Sequence, residues 1–213
     1  MKRGTFITFE GMEGSGKSTQ VAILSDRLKA AGRGVVLTRE PGGTAAGEAI
    51  RKIVKGEGEE MAICPETEML LFAASRAQLV REVILPALKR GDVVVSDRFA
   101  DSTTVYQGIA RGLDTGDIAA LNRLVMSKAV PDITILLDVE VGLGLKRVHR
   151  RSKKSRGRSD RIERENAMFH KKVRDGYRQL ARKSSGRIRV VDGARSQELV
   201  ARSVWEIVSD ALD

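Results

Sequence analysis

The stretch Gly11–Ser18, GMEGSGKS, constrains this chain more than any other. It has the form G-x-x-x-x-G-K-[ST], and Thr19 follows it. Before it, Thr5–Phe9 (TFITF) alternates β-branched and aromatic residues, the habit of a strand. After it, Val21, Leu24, Leu28 and Ala31 recur at helical spacing. A glycine-rich turn between a strand and a helix is the setting this motif needs. Gly11, Gly14 and Gly16 let the backbone turn tightly and aim successive N–H groups inward. That nest sits on the positive end of a helix dipole, so it attracts phosphate. Lys17 can reach the terminal phosphates of a nucleotide, and the Ser18 hydroxyl can join a Mg²⁺ shell.

The rest of the pattern extends this unit into a doubly wound α/β fold of P-loop type. Strand-like strings fall at Thr5–Phe9, Gly34–Thr38, Asp92–Ser96, Ile133–Asp138 and Arg187–Val191. Runs such as VVVS and ITILLD are apolar on both faces, as buried parallel strands require. Helical patterns fill the intervals at about 16–31, 44–54, 65–89, 114–128, 140–150, 160–184 and 195–212. With 213 residues and no linker or repeat, one domain spanning 1–213 is expected. The expectation is a five-stranded parallel sheet flanked by helices.

Cys64 is the single cysteine, which excludes an internal disulfide and points to a cytoplasmic setting. With only His149 and His170 beside it, a structural zinc site is not expected. No signal-peptide pattern or long apolar run is present, so no membrane association is expected. The net charge is +10, and it is local. Residues 146–161, KRVHRRSKKSRGRSDR, carry nine Lys or Arg against one Asp, so +8 of the charge lies there. The window reads as a solvated loop, a nucleic-acid patch or a mobile cover for polyphosphate. It lacks the interleaved aromatics that stack on bases, so a nucleic-acid partner is not expected.

Other strings carry chemistry of their own. TREPGGT (Thr38–Thr44) is a turn at the carboxyl end of the second strand, where open parallel sheets bind ligands. There Arg39 either pairs with a phosphate or lies exposed. Pro65 opens a long helix whose core stripe is Leu70, Ala73, Ala77, Val80 and Ile84. Phe72 and Arg76, four apart, share a different face, where they would suit a planar base; Phe72 would equally suit the core. Asp97 ends the string VVVSD, where it would serve as a second partner for Mg²⁺, and Arg98 beside it could hold an acceptor phosphate; the alternative is an exposed ion pair between the two. Residues 101–112, DSTTVYQGIARG, offer hydroxyls and amides to a sugar and base, or form a polar loop. Asp160 and Glu163 read as a helix start.

Together, FEGMEGSGKST, TREPGGT, LLFAASRAQ, SDRFADSTTVYQGIARG, PDITILLDV and SDRIE resemble the thymidylate kinase (dTMP kinase) family, in order and over nearly the whole chain. The resemblance implies phosphoryl transfer from ATP to dTMP with Mg²⁺, in a cytoplasmic homodimer. It places the ATP phosphates on Gly11, Met12, Glu13, Gly14, Ser15, Gly16, Lys17, Ser18 and Thr19, and the metal at Ser18 and Asp97. It implies that Glu10 faces the dTMP 3′-hydroxyl, Phe72 stacks on thymine and Arg76 bonds its O4. It implies that Arg39 and Arg98 lie near the acceptor phosphate and that Tyr106 crowds the sugar C2′. Thr103 and Gln107 fall among base and sugar contacts. The P-loop interior holds no cation, so the chain resembles the bacterial form, in which a lid supplies the catalytic arginine. The lid would span about 147–160, with Arg147, Arg150, Arg151, Arg156, Arg158 and Arg161 as candidates; Arg150 and Arg161, with Lys17 and Arg98, are the expected catalytic set. Phe99 departs from the family pattern, where Tyr or His is commoner.

The chemistry suits such residues. A phosphate acceptor is already anionic, so catalysis is positioning and charge neutralisation. The nearest rival reading is a kinase for another nucleoside monophosphate. A guanine-reading switch is disfavoured because no NKxD string exists. A basic nucleic-acid-binding P-loop protein is the remote alternative.

Overall fold

The computed structural model describes residues 3–56, 62–155 and 160–212. Five parallel strands form one sheet: β1 (Phe6–Glu10), β2 (Val35–Arg39), β3 (Val93–Asp97), β4 (Ile133–Asp138) and β5 (Ile188–Asp192). Their order is β2-β3-β1-β4-β5. The sheet is that of the doubly wound α/β class. Four strands sit one residue later than the sequence spacing suggests, so Glu10, Arg39 and Asp97 are terminal strand residues rather than loop residues. The register aligns Phe9 with Asp97, and Asp97 with Arg39. β1 connects toward β2, and β3 connects across β1 toward β4. Connections leaving in opposite directions open a crevice at the carboxyl ends of β1 and β3, where ligands bind in such sheets.

The central strands are buried on both faces; the edge strands β2 and β5 are partly exposed. Ile7 and Phe9 of β1 face a core built with Val21, Leu24 and Leu28 of α1 (Lys17–Ala30) and with Val204 and Val208. Residues 6, 8 and 10 turn to the other face, by the two-residue period of a strand. Phe6 packs there on Phe99, ring centroids 4.9 Å apart, and Thr8 shares a 2.7 Å hydroxyl contact with Thr134.

Helix α2 (Ala45–Lys55) is capped by Thr44, whose hydroxyl accepts from the Gly47 N–H. The expected long helix over 65–89 divides into α3 (Pro65–Leu79), a wide π turn (Val80–Ile84) and α4 (Leu85–Arg90). Pro86 has no N–H, and the wider turn, with the Leu85 N–H reaching back to the Val80 carbonyl, accommodates it. Leu70 is 55% exposed, so the expected core stripe fails at that position, whereas Ala73, Val80 and Ile84 are buried.

Most of residues 101–112 is helical: α5 (Ala100–Thr103) runs into a second π segment (Thr104–Ala110). After α6 (Thr115–Met126), α7 (Val141–Ser155) extends well into the basic window. The expected helix start at Asp160 forms only a turn, in which Asp160 Oδ1 accepts from the Ile162 and Glu163 N–H groups. The helix proper, α8 (Ala167–Lys183), begins after Asn166, which caps it by accepting from the Phe169 N–H. α9 (Gln197–Leu212) closes the order.

Candidate active site

The P-loop glycines occupy positive φ: 138° at Gly11, 75° at Gly14 and 98° at Gly16. These are conformations that side chains resist, so the motif's glycines are a backbone requirement. Lys17 is buried and folds over the loop, donating to the Gly11 and Met12 carbonyls at 2.9 Å each. Burial, with Arg98 nearby, lowers its pKa to about 8 against the pull of Asp97 and Glu13. Ser18 Oγ donates to Asp97 Oδ2 at 2.5 Å across the crevice. A hydroxyl beside a carboxylate at the mouth of a phosphate nest is a hard-oxygen pair of the kind Mg²⁺ takes together with phosphate and water. Among the described residues no cluster of three or more His, Cys, Asp or Glu forms a metal cage.

A cavity of about 970 Å³ opens beside this loop. Of the residues expected around the acceptor, Arg39, Phe72, Arg76, Arg98, Thr103, Tyr106 and Gln107 line it, with Lys17, Ser18, Asp97, Glu13 and Gly14 of the phosphate side. Phe72 is half-buried and outside the core clusters, so its ring belongs to the cavity. Arg76 is 1% exposed in the cavity floor. Its guanidinium donates to Glu40, Asn122 Oδ1 and Thr103 Oγ1, each at 2.8 Å. Burial raises the Glu40 pKa to about 7, with Arg76 opposing the rise. Gln107 Nε2 donates to Glu68 at 2.7 Å. Arg39 is half-exposed and paired with Glu48 of α2 at 2.9 Å.

Arg98 is the junction between the two halves. Its φ of 73° is strained for a side-chain-bearing residue, and its backbone is pinned by Phe9 O and Ser96 Oγ. The guanidinium donates to Glu13 at 2.6 Å and to the Tyr106 hydroxyl at 3.0 Å. Tyr106 in turn donates to Glu13 at 2.7 Å. Burial alone would raise the Glu13 pKa, but Arg98 foremost, with His170, Lys17 and Tyr106, holds it well below the carboxylate range.

Glu10 does not face the cavity. It ends β1 on the Phe6 face and is fully buried, accepting from the Phe99 N–H at 2.8 Å and from Ser102 and Tyr177 hydroxyls at 2.6 Å each. Burial, then the charge of Asp101, raises its pKa. Of the two acids Glu10 and Glu13, the one that lines the cavity is Glu13. The F-E-G spelling directs attention to Glu10, but strand parity turns it inward. Phe99 is likewise a core residue, 1% exposed, and does not line the cavity.

The lid arginines separate clearly. Arg150 is exposed and does not line the cavity. Arg161 turns away from the cavity, donating to the Val54 carbonyl at 3.2 Å and pairing with Glu68. Arg147 donates to the carbonyls of Gly14 and Gly193 at 3.3 and 2.9 Å, bracing the P-loop from behind. Arg151 lines the cavity and pairs with Glu163. Arg156 and Arg158 lie outside the described residues. The cavity also gathers Glu40, Arg51, Asp160, Ile162 and Glu163, which the sequence did not single out as contacts. Glu40 and Glu163 stood within the strings TREPGGT and SDRIE, so their neighbours were the available signal.

A sequence profile described as Thymidylate kinase matches residues 9–204. A Methylococcus capsulatus protein named Thymidylate kinase is 49% identical over 212 residues, covering 100% of this chain and 98% of its own length. One of the same name from Deinococcus radiodurans is 45% identical over 210 residues, covering 99% and 98%. The crystal structure of thymidylate kinase from Ehrlichia chaffeensis superposes with a TM-score of 0.77 at 33% identity, covering 97% of this chain and 99% of that one. By sequence over its whole length and by fold, this chain belongs to the thymidylate kinase family.

Proposed function

We propose that the cavity beside the P-loop is the acceptor site of this dTMP kinase and that phosphoryl transfer occurs where Lys17, Asp97 and Arg98 converge. The reaction converts ATP and dTMP to ADP and dTDP. The observation that carries the site is one of convergence. Base-facing Phe72 and Arg76, sugar-facing Tyr106, and phosphate-facing Arg39 and Arg98 come from separate parts of the chain and line a single cavity with the P-loop.

In this reading the thymine lies on the Phe72 ring, and Arg76, which has only donors to offer, reads the O4 acceptor. Cytosine presents an amino donor at that position and is disfavoured. Thr103 and Gln107 complete the wall. Tyr106 crowds C2′. Because its hydroxyl lies 2.7 Å from Glu13, the sugar 3′-hydroxyl meets Glu13 and not Glu10. Arg98 exchanges Glu13 for the acceptor phosphate, Arg39 approaches from the β2 end, and Lys17 leaves its loop carbonyls for the donor phosphates. Mg²⁺ at Ser18 and Asp97 would neutralise donor phosphate charge. No strong base is needed; the work is to align two anions and exclude water. Among the described lid arginines, Arg151 is the one whose place supports a role at the transferring group.

In this proposal the chain acts as one domain, in the cytoplasm, as a homodimer. Exposed Leu70 and Leu124, on the packed neighbours α3 and α6, support the dimer by offering apolar surface. Among the described residues, no helix is long and apolar enough to cross a membrane.

Steady-state kinetics of Phe72→Ala test the acceptor site. Loss of one stacked ring is expected to raise KM for dTMP by roughly tenfold to a hundredfold while leaving KM for ATP near wild type. Equal weakening of both substrates would remove Phe72 from the acceptor site.

A further inference from the structure

Glu68 of α3 is a carboxylate buried to 1% exposure that no step of phosphoryl transfer uses. It belongs to a row of four side chains of alternating charge: Arg161, Glu68, Arg111 and Glu165. Arg111 donates to Glu68 at 3.3 Å and to Glu165 at 2.5 Å. Arg161 pairs with Glu68 and also reaches the end of α2, where its guanidinium donates to the Val54 carbonyl at 3.2 Å and its N–H to the Lys55 carbonyl at 3.3 Å. Burial alone would raise the Glu68 pKa; Gln107, Arg111 and Arg161 together lower it instead. Glu68 therefore stays ionised and holds these partners by charge.

The placement matters because of what stands on either side of Arg161. Asp160, Ile162 and Glu163 line the cavity, whereas Arg161 faces outward onto α2 and α3. Gln107, another partner of Glu68, lines the cavity as well. One carboxylate thus joins two cavity walls, the π segment that carries Gln107 and the turn that carries residues 160–163.

We propose that Glu68 and Arg161 are positioning residues, which set the wall of residues 160–163 against the bound acceptor by anchoring it from its outer side. The proposal rests on the acceptor occupying this cavity. Neither side chain needs to touch substrate; loss of the anchor lets Asp160, Ile162 and Glu163 move relative to Gln107 and loosens the acceptor.

Arg161→Met keeps most of the stem and removes the charge. The expected result is a KM for dTMP raised roughly tenfold, with kcat within about threefold of wild type and a melting temperature lowered by only a few degrees. A fall in kcat of about a thousandfold at unchanged KM would place Arg161 on the transferring group and overturn the proposal. A lower melting temperature with unchanged kinetics would make the cluster merely structural and overturn it too. Glu68→Gln and the double variant complete a cycle. Effects on KM that do not add support a shared anchor; additive effects contradict it. Should Glu68→Gln not fold, Arg161→Lys decides: recovery of part of the KM loss supports anchoring by charge, and no recovery contradicts it. Wild-type turnover of ATP with dTMP, run alongside, tests the reading of the cavity itself. Its absence would overturn that reading independently of the variants.

Discussion

Glu13 keeps its charge in a place where burial alone would remove it. Arg98 at 2.6 Å and Tyr106 at 2.7 Å hold it ionised, and the buried His170 stands with Nδ1 3.5 Å away. Glu10, three positions earlier, is buried too, but it does not line the cavity; it accepts from the Phe99 N–H and from the Ser102 and Tyr177 hydroxyls, which also accept from Arg98. The two acids should therefore fail differently. Glu13→Gln is expected to lower kcat/KM for dTMP by at least about tenfold. Glu10→Gln puts an amide before three donors and should cost about 1–3 kcal/mol of stability by urea unfolding, at near-native KM for dTMP. The reverse pattern would return the acceptor role to Glu10. The sequence displayed both acids but could not separate them. The two-residue alternation of β1, fixed only once the sheet's faces are known, turns Glu10 inward.

At the scale of elements, the site depends on close approaches between chain segments. α7 packs on the P-loop through two glycines. A Cβ on Gly14 would lie 2.2 Å from the Gly144 carbonyl oxygen, and one on Gly144 would lie 2.8 Å from the Glu13 carbonyl oxygen and from Met12 Cε. Gly144→Ala should therefore push α7 and the loop apart. The expected cost is about 1–3 kcal/mol, with KM for ATP raised several-fold and KM for dTMP affected less. Kinetics and thermal melting of the one variant check both; an unchanged KM for ATP would mean that the loop absorbs the methyl group. Nothing in VGLGLKR announces this contact, because it is made across the molecule. The π segment Thr104–Ala110 was hidden for a different reason. Its Thr, Val, Tyr and Gly residues favour helix weakly, so the local pattern reads as a loop. Burial of Val105, Tyr106 and Ala110 against α8 overrides that preference. By contrast, Thr44, Asp114 and Pro65 mark helix starts by local hydrogen bonding or a fixed φ, and α2, α6 and α3 begin beside them as read.

For the whole molecule, the alternation of strand and helix announced a parallel, doubly wound sheet but not its order β2-β3-β1-β4-β5, and the P-loop fixed which end of the sheet would hold ligands. The cavity was legible as a set of strings and not as a shape. Phe72, Arg76, Arg98, Tyr106 and Gln107 were each ambiguous alone and line one cavity only in the fold. The lid resisted for the opposite reason. Its many like residues, Arg147, Arg150, Arg151 and Arg161, carry the same chemistry, and only their distinct places separate a P-loop brace, an exposed cation, a cavity residue and an outer anchor. If these places add up to a site for dTMP, ADP formation from ATP and Mg²⁺, followed with each monophosphate in turn, will depend on dTMP, with little from dCMP, dGMP or UMP. ADP formation that depends instead on another monophosphate, or that ignores the acceptor altogether, would contradict that assignment.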